Sequence, residues 1–317
     1  MMTDILYPHD AQLYDRRFMN CAERHAVVFL KERRAQTDLL FYRALVSSDE
    51  IFRQIIQQKK PKYNFVNGCF NEPDLNALGI YPHELRGEGF AQIKPDVDAL
   101  IRQYGFVLIS GSVFYFPHCP EYRQKHLHHL VVLNGVDEAR DRYQVADDNP
   151  ASVLCQYQYG LEEVAGFFDN NGDRLARWFT LDHYNSDDAT RYFHQALRDY
   201  LTHYQDSQQF LSGIEDYLKD NFEAREIKLQ LLHDGFSLLS GSRTLFAHYL
   251  SLQHPDQDAM TELARQLGQQ AFILKSLVVK ARITQRLDIA DLATRARQFQ
   301  EQESALLQAL RTLLRGH

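Results

Sequence analysis

The alternation of apolar and polar positions changes character part-way along the chain. Up to about residue 184, short apolar runs alternate with turns: Phe106 to Phe116 reads as a strand, Leu130-Val131-Val132-Leu133 as another, and Pro117 to His128 as a polar loop between them. Asn134-Gly135 then signals a turn, and Tyr143 to Ala146 is the expected return strand. Helices interrupt this region. In FMNCAERHAVVFLKERR, Ala22, Ala26, Phe29 and Leu30 recur at helical spacing while Glu23, Lys31 and Arg34 take polar positions, so Cys21 falls at or near a first helical turn. A second helix is expected from Ser48 to Gln58, opened by a Ser47/Glu50 capping box, and a third from Asp96 to Tyr104, closed by a left-handed cap at Gly105. From about Asn185 onward apolar residues return every three or four positions through 187–205, 208–221, 224–252, 257–283 and 286–314, which predicts a helical bundle. The expected organisation is a mixed α+β domain over 1–184 followed by an all-helical domain over 185–317, packed together because no linker-like segment separates them.

Composition narrows the functional classes. A net charge of −7 without any long Lys/Arg block argues against a general nucleic-acid binder. The four cysteines lie far apart with no Cys-x-x-Cys pair, which fits a reducing cytoplasm and supports neither a disulfide framework nor a ribbon-type zinc site. MMTDILYPHDAQ has no basic head or apolar signal core, and no apolar stretch is long enough to span a bilayer, so a cytoplasmic protein is expected. No Rossmann or P-loop glycine pattern occurs, and no cofactor is expected.

The candidate chemistry lies at Cys21, His129 and Asp147, which follow in the order nucleophile, base, orienter. A thiol at a helix start meets unpaired N–H groups and the positive end of the helix dipole, so its thiolate is favoured. His129 leads directly into an apolar strand, and the return strand delivers Asp147 roughly level with it, where a carboxylate would fix which imidazole nitrogen faces the sulfur. Singly, each residue also has a plain structural reading: a buried cysteine, a strand-end histidine, a turn aspartate beside Asp148 and Asn149. Asp148 stays open as the acid, because a one-residue slip of register exchanges the two faces of a strand.

Three segments, NCAERHAVVFLKE, DALIRQYGFVLISGSVFYFPHCPEY and HHLVVLNGVDEARDRYQVADDNP, together resemble the N-terminal domain of the butirosin-biosynthesis acyltransferase family, itself similar to C39-type papain-like cysteine peptidases. The resemblance spans approximately residues 10 to 160, and SGSRTLFAHYL (Ser240 to Leu250) is similar to a glycine-rich, aromatic segment in the helical part of such proteins. It implies a papain-like fold and transfer of an acyl group from a carrier-protein thioester to an amine through an acyl-cysteine. Cys21 then matches the nucleophile, His129 the base and Asp147 the orienter. The partners implied are an acyl carrier protein and a small amine-bearing acceptor, with phosphopantetheine present only as part of the donor. Two departures stand out. Asp15 occupies the spacing at which papain-like peptidases carry an oxyanion-donating glutamine, leaving the Cys21 N–H and Asn20 as candidate donors, and Asp147-Asp148-Asn149-Pro150 replaces a direct Asp-Pro.

Two further clusters have competing readings. His118, Cys119, His126, His128 and His129 are rich in metal-ligand types, but their spacing matches no common zinc motif, and a loop flanking the active site is expected instead of a metal centre. Arg16, Arg17 and Arg24, in a basic run near Cys21, are candidates for contact with an acidic carrier protein or its phosphate, against the alternative of a solvated helix face. The leading expectation is a cysteine acyltransferase. A papain-like thiol hydrolase using the same three residues, and a catalytically silent binding or scaffold protein, are the alternatives.

Overall fold

The computed structural model describes residues 4–315; the first three residues of the expected 1–184 region and the last two of 185–317 lie outside the described residues. The chain folds into two compact units. One comprises Met1–Tyr14, Cys21–Ala35 and Leu75–Tyr184, the other Asp15–Asn20, Gln36–Asp74 and Asn185–His317. The change of pattern near residue 184 thus coincides with a unit boundary, while two earlier segments fold with the helices.

The first unit is built on one antiparallel sheet. Its strands are β1 (Ile5–Leu6), β2 (Ile80–Arg86), β3 (Val107–Ser112), β4 (His128–Asp137), β5 (Arg142–Asp148), β6 (Leu154–Gly160) and β7 (Leu175–Leu181), in the spatial order β1-β6-β5-β4-β3-β7-β2. The longer helices among its described residues are α1 (Cys21–Lys31), α2 (Phe90–Tyr104) and α3 (Leu161–Asp169). Leu130 to Leu133 are buried in succession, so both faces of β4 are covered; this explains why the run is continuously apolar rather than alternating. Phe90, Ile93, Val97 and Ile101 of α2 and Val164, Phe167 and Phe168 of α3 share one core with Val107, Ile109, Val131 and Leu133 of the sheet. The architecture is α+β.

Several local expectations need correction. Asn134-Gly135 is a bulge inside β4, not a turn; pairing with β5 shifts between Leu133 and Gly135, and Asn134 Nδ2 donates to Gln156 Oε1 at 3.0 Å. The reversal comes later, where Asp141 takes a left-handed conformation (φ 47°). The third helix begins at Phe90, not Asp96, with Pro95 inside it. Proline at that point resembles a helix start, but burial of Phe90 and Ile93 extends the helix by more than a turn, and Asp169 Oδ1 accepts from the Phe90 N–H at 2.6 Å. The Gly105 cap is left-handed (φ 80°) as expected. Ser47 does accept from the Glu50 N–H at 3.2 Å, yet the regular α-helix runs only over Ser48–Ile51 before widening into a π-helix over Phe52–Gln57.

Gly111 of β3 stands opposite His129 in the β3–β4 ladder, and a Cβ there would come within 2.0 Å of Phe167 Cδ1. Only glycine lets α3 approach the sheet this closely beneath the histidine.

The second unit is dominated by α4 (Ser186–His203), α5 (Arg225–Gln253), α6 (Asp258–Thr284) and α7 (Ile289–Arg315). These follow the four longer periodic segments. Ser240-Gly241-Ser242 marks close packing inside α5: Ser240 Oγ donates to the Gly268 carbonyl of α6 at 2.8 Å, and a Cβ on Gly241 would meet Phe18 at 2.8 Å. Arg243, fully buried, pairs with Glu303 of α7 and donates to the Val46 carbonyl at 2.7 Å. No helix among the described residues is long and apolar enough to cross a membrane.

Candidate active site

Cys21 is the first residue of α1, where backbone N–H groups lack intrahelical acceptors. The helix packs on β4, bringing the sulfur into hydrogen-bond reach of the His129 side chain and the Leu130 backbone N–H. On the neighbouring strand Ala146 pairs with Val132, so Asp147 follows on the face that carries Val131 and His129, and the two side chains meet diagonally. His129 Nε2 lies 2.8 Å from Asp147 Oδ1 and 3.0 Å from Oδ2. With Nε2 committed to the carboxylate, Nδ1 is the nitrogen left to face the sulfur.

The electrostatics support an ion pair. Burial alone would raise the Cys21 thiol, but the hydrogen bond and charge of His129, the Leu130 N–H and Arg24 outweigh it and bring the thiol below its ordinary value. His129 moves the other way: burial opposes its charge, while Asp147 and Cys21 hold the imidazolium well above the usual histidine range. Asp147, 1% exposed, is held well below the usual carboxylate range, because His129, His118 and His25 overcome the cost of its burial. Both shifts run in the direction that favours thiolate beside imidazolium.

Asp148 points elsewhere. Its Oδ1 accepts from Arg24 Nη2 at 2.8 Å and from the Tyr14 hydroxyl at 3.4 Å. Arg24 is consequently a buried partner of Asp148, with its guanidinium over the Tyr14 ring, and the expectation that it contacts a carrier protein is withdrawn. Arg17 is also engaged, binding Asp15 through two nitrogens and Ser240 Oγ at 3.1 Å, whereas Arg16 is exposed. Asp15 serves as the buried acceptor of Arg17. Asn20, the other oxyanion candidate, is half-buried.

Two histidines around Asp147 were not assigned this place from sequence. His25, fully buried, sets Nε2 3.3 Å from Asp147 Oδ1 and 2.8 Å from the Tyr14 hydroxyl. Its signal was available: it lies four residues after Cys21, hence on the same helical face. His118 Nε2 lies 2.9 Å from Asp147 Oδ2. The histidine-rich run is dispersed: His126 contacts Ser112 Oγ at 2.9 Å, His128 contacts Asn171 Oδ1 at 3.1 Å, and of its histidines only His118 and His129 converge on Asp147. His118, Cys119 and Asp147 form one group with metal-ligand types in mutual reach, and His25, Asp147 and Asp148 another. In both groups the histidine Nε2 atom faces the Asp147 carboxylate. Burial and then Asp147 push the Cys119 thiol up.

A direct check is available through alkylation. Cys21 is part-exposed with a lowered thiol, Cys69 and Cys155 are fully buried, and Cys119 is buried with a raised thiol. Iodoacetamide near pH 7 should therefore modify Cys21 at least about tenfold faster than the others, read by peptide mass, and His129→Ala should remove that preference. Equal labelling of all four cysteines would contradict the assignment.

No family model matches the chain. A curated relative from Niallia circulans is 24% identical over 308 residues, covering 94% of this chain and 97% of the relative. Its name is ribostamycin:4-(gamma-L-glutamylamino)-(S)-2-hydroxybutanoyl-[BtrI acyl-carrier protein] 4-(gamma-L-glutamylamino)-(S)-2-hydroxybutanoate transferase. The similarity extends well past the N-terminal motifs into the helical unit. Over almost its whole length, then, this chain is similar to an acyl-carrier-protein-dependent transferase of the butirosin-biosynthesis acyltransferase family that its N-terminal motifs resemble.

Proposed function

We propose that the protein is a cysteine-dependent acyltransferase that moves an acyl group from a carrier-protein thioester to an amine of a small acceptor through an acyl-Cys21 intermediate. The observation that carries this reading is the alignment of Cys21 at a helix start with His129 and Asp147 on adjacent antiparallel strands. That is the arrangement of papain-like thiol sites. A relative that transfers an acyl group from a carrier protein favours transfer over hydrolysis.

His129 Nδ1 takes the Cys21 proton, and the thiolate adds to the thioester carbonyl. The Cys21 backbone N–H would steady the developing oxyanion. Collapse breaks the bond to the carrier sulfur, which leaves with the proton held by His129. The acceptor amine then adds to the acyl-cysteine, its proton passes to His129, and the amide departs as Cys21 regains the proton. No resident cofactor is needed, since phosphopantetheine arrives on the donor. The setting is taken to be cytoplasmic biosynthesis of a specialised metabolite.

Of the three arginines considered for carrier contact, Arg16 retains that role. Lys62 and Lys275 lie near it: burial first brings Lys62 down to about 8, Asp234 opposes that shift, and the charges of Arg16 and Lys275 add to it. An acidic carrier surface would be drawn to the exposed Arg16.

The test is intact mass after incubation with an acylated carrier protein and no amine. An acyl-Cys21 adduct should accumulate, because a transferase must shield its thioester from water, and adding amine should discharge it to an amide. Arg16→Glu should slow loading from the carrier about tenfold while leaving loading from a small thioester unchanged. Rapid turnover of the adduct in water would instead establish the hydrolase reading.

A further inference from the structure

The Asp147 carboxylate is a hub. Besides His129 it accepts from the Asp148 backbone N–H at 2.8 Å and from His118 Nε2 at 2.9 Å, with His25 at 3.3 Å. Of these, His118 belongs to neither strand of the proposed triad nor to α1. It comes from the loop after β3, yet its side chain is only 1% exposed and both ring nitrogens are engaged. The carboxylate at Nε2 places the proton there and leaves Nδ1 to accept from the Tyr159 hydroxyl at 2.6 Å. Ring stacking completes the clamp: His118 lies parallel to Tyr157, centroids 4.1 Å apart at 16°. Tyr157 and Tyr159 stand two apart on β6, which pairs with the strand carrying Asp147, so the clamp and the carboxylate share one scaffold.

We infer that His118, held by Tyr159, is a positioning residue for catalysis: it fixes the rotation of the Asp147 carboxylate so that His129 presents its other nitrogen to Cys21. The inference rests on the cysteine mechanism proposed above. The physical reason is geometric. Rotation about the last carboxylate bond is soft, and His129 alone spans both oxygens without deciding the plane. A second imidazole on Oδ2, itself immobilised at its far nitrogen, removes that freedom. A buried imidazole held at both nitrogens is a rigid support.

Two substitutions separate positioning from mere filling of space. His118→Gln loses the ring but keeps an N–H donor near the Nε2 position, whereas His118→Phe keeps the ring and its stacking on Tyr157 but has no donor. If His118 only fills space, phenylalanine should serve and glutamine should fail; if it positions Asp147, the ranking reverses. The measurements are kcat and KM for transfer and the pH midpoint of Cys21 alkylation, on variants whose melting is cooperative. His118→Phe should lower kcat about 10²-fold with little change in KM, the scale expected for a misplaced catalytic group. Its alkylation midpoint should rise by about one pH unit, because a less well supported imidazolium stabilises the thiolate less. His118→Gln should stay within about threefold of the parent. Should His118→Phe not fold, Tyr159→Phe carries the test: loss of that one hydroxyl should shift the midpoint in the same direction by a smaller amount, and an unchanged midpoint overturns the inference. A folded His118→Phe protein with the parental midpoint and kcat, or a glutamine variant as impaired as phenylalanine, overturns it as well. Transfer that survives Cys21→Ala would instead sink the cysteine mechanism beneath it.

Discussion

Cys21→Ala is expected to abolish covalent loading and to reduce acyl transfer by at least about 10⁴-fold, the scale seen when a nucleophile that acts as a unit with its base is removed. Cys21 is where the helix-start N–H groups, the Leu130 N–H and the His129 charge converge, and no other cysteine shares that setting. Cys69 and Cys155 are fully buried, and the Cys119 thiol is pushed up by burial and by Asp147. None can substitute. Alanine removes only a sulfur at a part-exposed helix start, so the variant should fold normally. Intact mass with an acylated carrier protein and single-turnover amide formation are the measurements. Persistent amide formation would mean that the carrier thioester is attacked directly by the amine and that the site serves only to hold the two together.

The second large effect is expected at the acid. Asp147→Asn should lower kcat by about 10³- to 10⁴-fold, because an amide cannot serve the donors that converge on this side chain. His129 and the Asp148 N–H approach Oδ1, and His118 and His129 approach Oδ2. Whichever way the amide turns, its NH₂ faces a donor, and the charge that holds His129 protonated is gone. The His129 pKa should fall toward the ordinary imidazole value, so the thiolate–imidazolium interval narrows from its alkaline side. The native protein has the opposite dependence at low pH: since Asp147 is depressed on folding, its stabilising contribution is present above the unfolded carboxylate pKa and is lost as pH drops through the folded value. Asp148→Asn should affect kcat little, within about tenfold, and act on stability through Arg24. A larger catalytic loss at Asp148 would exchange the two roles.

Local order was legible in the sequence where one element's own periodicity is enough. The long helices of the second unit, the Gly105 cap, the Ser47 cap and the helix start at Cys21 follow from spacing and capping chemistry. The face shared by His129 and Asp147 was also legible, because a strand alternates with period two and the return strand starts close by. What the sequence could not carry is convergence from distant segments. His25 from α1 and His118 from a loop meet at Asp147, with Tyr159 of β6 behind His118, only because sheet order and register bring them there, and those are set by packing of the whole core. The same limit explains Asn134-Gly135, whose turn signal is overridden when the ladder continues past it as a bulge. Arg24 reads as a surface cation by residue type, but the part-buried Asp148 carboxylate of β5 draws it inside. Helix starts and strand alternation are local physics, so the candidates proposed as nucleophile, base and acid could be singled out along the chain. Only the tertiary structure decided how that acid is held, because the groups that hold it are neighbours in space and not along the chain.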